Sequence, residues 1–187
     1  MQELEQNKIP KASIIKVIIQ NGIRTVIVLI VLVGLSALYQ YMTATPEKLF
    51  SENYHPFILN ETKGAFTSPL GNAYNKGNLD SVIWEFNAMN SPQPGEYLLA
   101  GVAFLENNQP AKAIETFNTL IQKNISAKTD YFEKDTEYYL AMSYLSHNEP
   151  GKAMPIFEKI QADPNHPYNN KVSKWFLLKV KSSIVKK

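Results

Sequence analysis

Cysteine is absent from this chain of 187 residues. Disulfides, thiolate metal sites and cysteine nucleophiles are therefore excluded, while the compartment stays open, because cysteine-free chains occur on both sides of membranes. Histidine is scarce too: His55, His147 and His166 lie far apart, in no HxxxH or HxxE frame, and two of them abut proline. Such spacing offers no ready metal site, and turn or surface histidine is the plain reading. The eight glycines build no phosphate-cradling loop and no GxSxG elbow. Acidic side chains are plentiful, but solvated helix faces account for most of them, and nothing marks a catalytic carboxylate pair. The sequence predicts no catalytic, cofactor-binding or metal-binding residue, and a protein that is not an enzyme.

Charge is also in short supply, at 19% of residues, and unevenly placed. Residues 1–45 carry Lys8, Lys11, Lys16 and Arg24 against Glu3 and Glu5, whereas residues 46–170 hold 9 basic and 15 acidic side chains. The last 17 residues contain six lysines and no acid. An acidic body with a basic tail follows, and nothing resembles the broad basic face of a nucleic-acid binder.

From Thr25 to Met42 the chain runs 18 residues without a charge, TVIVLIVLVGLSALYQYM. As a helix this covers roughly 27 Å, close to the hydrocarbon thickness of a bilayer. Tyr39 and Tyr41 fall at its downstream end, where amphipathic rings favour the lipid–water boundary. The stretch from Ala12 is apolar too but is interrupted by Lys16, Gln20 and Asn21, so the helix has room to begin near residue 12. A cleaved signal peptide would carry a shorter apolar run. A buried core helix would show a polar face or a partner. The expectation is a single transmembrane helix over 25–42. Basic residues precede it, which places tail 1–24 in the cytosol and the rest outside, in a bacterial inner membrane with a periplasmic domain.

Beyond the anchor the chain repeats. A shift of 40 residues lays 97–121 over 137–161, with matches at Leu105/Leu145, Asn108/Asn148, Pro110/Pro150, Lys112/Lys152, Ala113/Ala153 and Phe117/Phe157. Tyr97, Gly101 and Phe104 recur at helical spacing, Asn108 and Pro110 mark a turn and a restart, and Ala113 and Phe117 line a second helix. Small residues at Gly101 and Ala113 suit a close helix–helix crossing. Ala141, Tyr144, Ala153 and Phe157 occupy the same positions one unit later. An earlier stretch, 71–86, fits the pattern when one residue is omitted from its turn, with Gly71, Tyr74, Gly77, Val82 and Phe86 in register.

This helix–turn–helix pattern resembles the tetratricopeptide (TPR) family, over about residues 68–183. The resemblance implies an all-α fold, a transmembrane helix followed by a short α-solenoid of helical hairpins. Its units fall at about 68–90, 95–123 and 130–162. The longer period is assigned to a lengthened link at 123–135, and Pro155 is expected to bend the second helix of the last unit. Residues 168–184 read as a capping helix with Val172, Trp175, Phe176, Leu177 and Leu178 on its apolar side. The lysines of that segment leave a second use open, as a patch for anionic lipid or an acidic partner.

Between anchor and repeats, residues 43–67 hold too many aromatics for a flexible tether: Phe50, Tyr54, Phe57 and Phe66. A short helix near 46–53 and an extended strap on the first repeat are expected. The run Leu49-Phe50-Ser51-Glu52-Asn53-Tyr54-His55-Pro56-Phe57 is similar to a segment of small Bacteroidetes-type membrane-anchored TPR proteins. In the TPR family the first helices line a groove for partners. That resemblance nominates Leu98, Val102, Leu105, Glu106, Tyr138, Met142 and Leu145 as the partner-binding face, suited to a peptide or helix of another protein. Packing of the same face against the strap is the competing reading. An adaptor or scaffold outside the cytosol is implied. An accessory subunit of a larger envelope complex, or an anti-sigma-like transmembrane regulatory module, stands as the alternative.

Overall fold

The computed structural model describes residues 11–59 and 68–185. The far N-terminal tail, the end of the connecting segment with Phe66, and Lys186 and Lys187 lie outside the described residues. All regular structure within them is helical, and the chain divides into two compact units, 1–43 and 44–187.

Among the described residues the first unit holds one helix, α1, Lys11–Met42, of 32 residues. Its section Gly22–Met42 has a mean hydropathy of 2.2 and no part buried within the protein, and is long and apolar enough to cross a membrane. Thr43 closes it, its N–H and its Oγ1 both donating to the Tyr39 carbonyl at 2.9 and 2.8 Å.

The second unit begins with α2, Pro46–Asn53, capped by Thr45, whose hydroxyl accepts from the Lys48 N–H. Pro46 fits the first turn because its missing N–H would have had no intrahelical partner. The same device opens α3 (Pro69–Asn75), α5 (Pro94–Glu106), α6 (Pro110–Ala127) and α8 (Pro150–Ala162). Three antiparallel hairpins follow: α3 with α4 (Leu79–Ala88), α5 with α6, and α7 (Glu133–Ser146) with α8. A 3-10 turn at Asn169–Lys171 leads to α9, Lys174–Val185.

The three hairpins share one turn. Gly77, Asn108 and Asn148 each take left-handed backbone, with φ of 68°, 54° and 57°. In each, that residue's N–H donates to the carbonyl three residues back, and the next N–H donates five residues back: Asn78 to Ala73, Gln109 to Phe104, Glu149 to Tyr144. This Schellman arrangement satisfies the carbonyls a helix end leaves open. The two asparagines therefore close the preceding helix, and the following one starts at Gln109 or Glu149. It also corrects the first unit: its turn lacks nothing, and the register of α3 moves by one residue. Leu70, buried, then matches Gly101, Ala73 matches Phe104, and Tyr74 matches Leu105.

The longer period at 123–135 is a longer helix rather than a longer link. α6 has 18 residues where α8 has 13. Buried Asn124 staples its end, with Nδ2 donating to the Tyr131 carbonyl at 2.8 Å and Oδ1 accepting from the Thr129 hydroxyl at 3.1 Å. α8 runs through Pro155, which is exposed, as one helix.

Packing within the hairpins is close. A Cβ built on Gly101 would stand 2.4 Å from Cε1 of Phe117, which is why the crossing admits no side chain there. Ala113 is fully buried in the same hairpin, and Ala141, Ala153 and Phe157, at the matching positions of the third, are fully buried too. Phe86 meets Tyr97 and Phe104 edge-on at 5.3 and 6.2 Å, joining the first hairpin to the second. Lys112 lies over the Phe104 ring and Lys152 over Tyr144, the same contact repeated 40 residues on. α9 closes the array on α8, with Phe176 edge-on to Phe157 at 5.0 Å and Val180 buried.

Candidate interaction face

The first helices of the hairpins, α3, α5 and α7, turn one side toward α2 and the extended residues 54–59. In the second hairpin this helix carries Leu98-Leu99, and in the third Tyr138-Tyr139. Replacing leucine with tyrosine adds a hydroxyl that needs a partner once buried. Both hydroxyls find the connecting segment: Tyr138 donates to the Asn53 carbonyl at the end of α2 at 2.9 Å, and Tyr139 to the His55 carbonyl in the strap at 3.0 Å. Tyr74 of α3 donates to the Phe57 carbonyl at 2.8 Å. Asn53 closes α2, and His55 and Phe57, two residues apart, offer their carbonyls from the extended stretch that follows. From the strap side, Tyr54 donates to Oε1 of Glu106 at 2.6 Å. Burial holds all these hydroxyls well above the ordinary tyrosine pKa, and for Tyr54 the Glu106 carboxylate adds to the effect. They remain donors at any physiological pH.

Side-chain packing accompanies the backbone bonds. Tyr139 stands edge-on to Phe57 at 5.9 Å and to Tyr54 at 6.1 Å, and stacks on Phe117 from behind at 6.5 Å. Tyr168, after α8, stacks on Tyr138 at 4.2 Å and donates to Asp135 at 2.8 Å. Leu49 of α2 and Phe57 are buried in the same core.

The residues nominated for partner binding sit in this assembly. Leu98, Val102, Leu105, Tyr138, Met142 and Leu145 are all 2% exposed or less, and Glu106 is half-buried on Tyr54. The expected open groove is corrected on that point: the chain's own elements close this face. The strap also reaches further than the first repeat, bonding to α3, α5 and α7. Tyr139 and Tyr74 are the contributors that sequence reasoning missed. The Leu-Leu to Tyr-Tyr change between units was the available signal, since two tyrosines at core positions require acceptors from outside the hairpin. Tyr74 was assigned to the Phe104 position by the one-residue register error.

A smaller polar cluster lies at the start of α7. His166 is buried, its Nδ1 accepting from the Tyr168 N–H at 3.2 Å and its Nε2 facing Oε2 of Glu137 at 3.4 Å. Lys159 pairs with Glu137, and Lys134 with Asp163 at 3.0 Å. Among the described residues no group of three histidine, aspartate or glutamate side chains is placed to hold a metal ion.

Residues 97–124, which cover most of α5 and most of α6, match the tetratricopeptide repeat family. The fold and the match define an all-α protein with a helical-repeat unit, a class of module that binds other proteins. No curated protein and no solved structure matches the chain.

Proposed function

We propose that the protein is a membrane-anchored adaptor, with α1 as a single-pass anchor in a bacterial inner membrane and the repeat unit outside the cytosol, where it binds other proteins. One observation carries the binding reading. The inner face already holds the chain's own connecting segment, through tyrosine hydroxyls on the backbone carbonyls of Asn53, at the end of α2, and of His55 and Phe57 in the extended stretch. Such contacts read a main chain and tolerate varied sequence. A partner peptide or helix reaches Leu98, Val102, Leu105, Glu106, Tyr138, Met142 and Leu145 by taking the strap's place.

The experiment is a titration of a labelled peptide, residues 46–59, into the full-length protein in detergent, comparing the natural chain with a Leu49→Ala/Phe57→Ala variant. The variant is expected to take up the peptide while the natural chain, already filled, takes up little. A variant that keeps its helical circular dichroism yet binds none would sink the reading. The topology is tested separately by a C-terminal reporter active only outside the cytosol, whose silence refutes it.

The filled face also favours a second reading, an accessory subunit of a larger envelope complex held through α1, where Gly34 and Ser36 are exposed. Replacing α1 with an unrelated apolar helix would release partners held that way and leave strap-exchanging partners bound.

A further inference from the structure

The last helix of a repeat array needs one face for the core and one for water. α9 departs from this. Its inner side buries Phe176 and Val180. Its outer side, at helical spacing, carries Lys174, Leu178, Lys181 and Val185, flanked by Trp175 and preceded by Lys171, all of them exposed. Trp175, Leu178 and Val185 are 38%, 50% and 83% exposed. Lys171, Lys174 and Lys181 make no ion pair among the described residues, in contrast to Lys179, which lies 3.8 Å from Glu52. Apolar side chains ringed by unpaired cations, with a tryptophan at the margin, match the chemistry of an anionic lipid surface.

The position of α9 agrees with its chemistry. It packs against α2, and the Lys179–Glu52 contact joins them. α2 starts at Pro46, and only Thr43, Ala44 and Thr45 separate it from the end of α1. By chain length alone that connection spans at most ~14 Å. The chain itself thus ties the start of α2 closely to the end of α1.

Resting on the anchor reading, we propose that the outer face of α9 is a lipid-contact surface. Trp175, Leu178 and Val185 enter the headgroup region of an anionic bilayer, and Lys171, Lys174 and Lys181 meet lipid phosphates.

The chain contains two tryptophans, Trp84 on α4, exposed, and Trp175, and none in α1. Each becomes a sole reporter in Trp175→Phe or Trp84→Phe. The full-length variants are reconstituted into vesicles of phosphatidylcholine, alone or mixed with phosphatidylglycerol, with brominated acyl chains as quencher. Trp175 is expected to shift to the blue and to be quenched several-fold more than Trp84 in the mixed vesicles. High salt or Lys174→Glu/Lys181→Glu should remove the difference. Quenching of both tryptophans alike, or quenching indifferent to the lysine reversals, overturns the proposal. Vesicle flotation separates the two readings: protein that fails to float refutes the anchor itself. Protein that floats with Trp175 unquenched refutes only the lipid contact and turns the patch toward an acidic protein partner.

Discussion

Lys128 shows how single positions carry this fold. It ends α6 in left-handed backbone at φ 54°, where Gly77 does the same work for α3 without a side chain. A Cβ in that conformation costs about 1 kcal/mol. Lys128→Gly should therefore raise the thermal midpoint of the repeat unit by a few degrees, read by circular dichroism. Gly101→Ala should do the reverse. Its methyl group would overlap the Phe117 ring, and forced repacking of this kind costs about 1–3 kcal/mol. His166 supplies a pH dependence. Burial, then the nearby Lys134, lowers its pKa below the ordinary histidine value. The unfolded chain, titrating near about 6.5, thus takes up the proton more readily than the folded one. Stability should be flat above that pH and fall as pH drops through it. His166→Phe, melted at pH 5 and pH 7.5, should show a smaller loss on acidification than the natural chain.

Among the elements, the strap rather than any helix decides what the repeat face is free to do. Tyr138→Phe/Tyr139→Phe removes two hydrogen bonds to strap carbonyls, each worth about 1 kcal/mol, while keeping both rings in place. Amide hydrogen exchange should then speed up in residues 53–59 and stay unchanged in α5 and α6; uniform acceleration would mean that the strap holds the whole core together. The helices themselves were legible because period and turn chemistry agree: Asn108-Gln109-Pro110 and Asn148-Glu149-Pro150 repeat the same stop and start. The first hairpin was read one residue out of register because its short α3 has few apolar positions, and Gly71 mimicked Gly101. The extra residues of 123–127 read as a link because Lys123, Asn124 and Ser126 look like loop sequence. The bonds from the Asn124 side chain to Thr129 and Tyr131 show that it lies within the last turns of a helix.

At the scale of the molecule, the occupied face was the least legible feature. Periodicity reports which side of a helix is apolar, and both a partner and the chain itself satisfy that pattern equally well. Aromatic density in 46–59 pointed to a packed segment, yet its acceptors and donors are 84 and 85 residues apart in sequence, beyond any local rule. The same separation has a mechanical meaning. Solenoids joined only neighbour to neighbour peel apart one hairpin at a time when pulled from an end. Here a tug at Thr45 passes through α2 into residues 54–59, which are bonded to α3, α5 and α7, so three helices resist it together. The repeat unit should yield in a single high-force rupture rather than in a staircase of small ones.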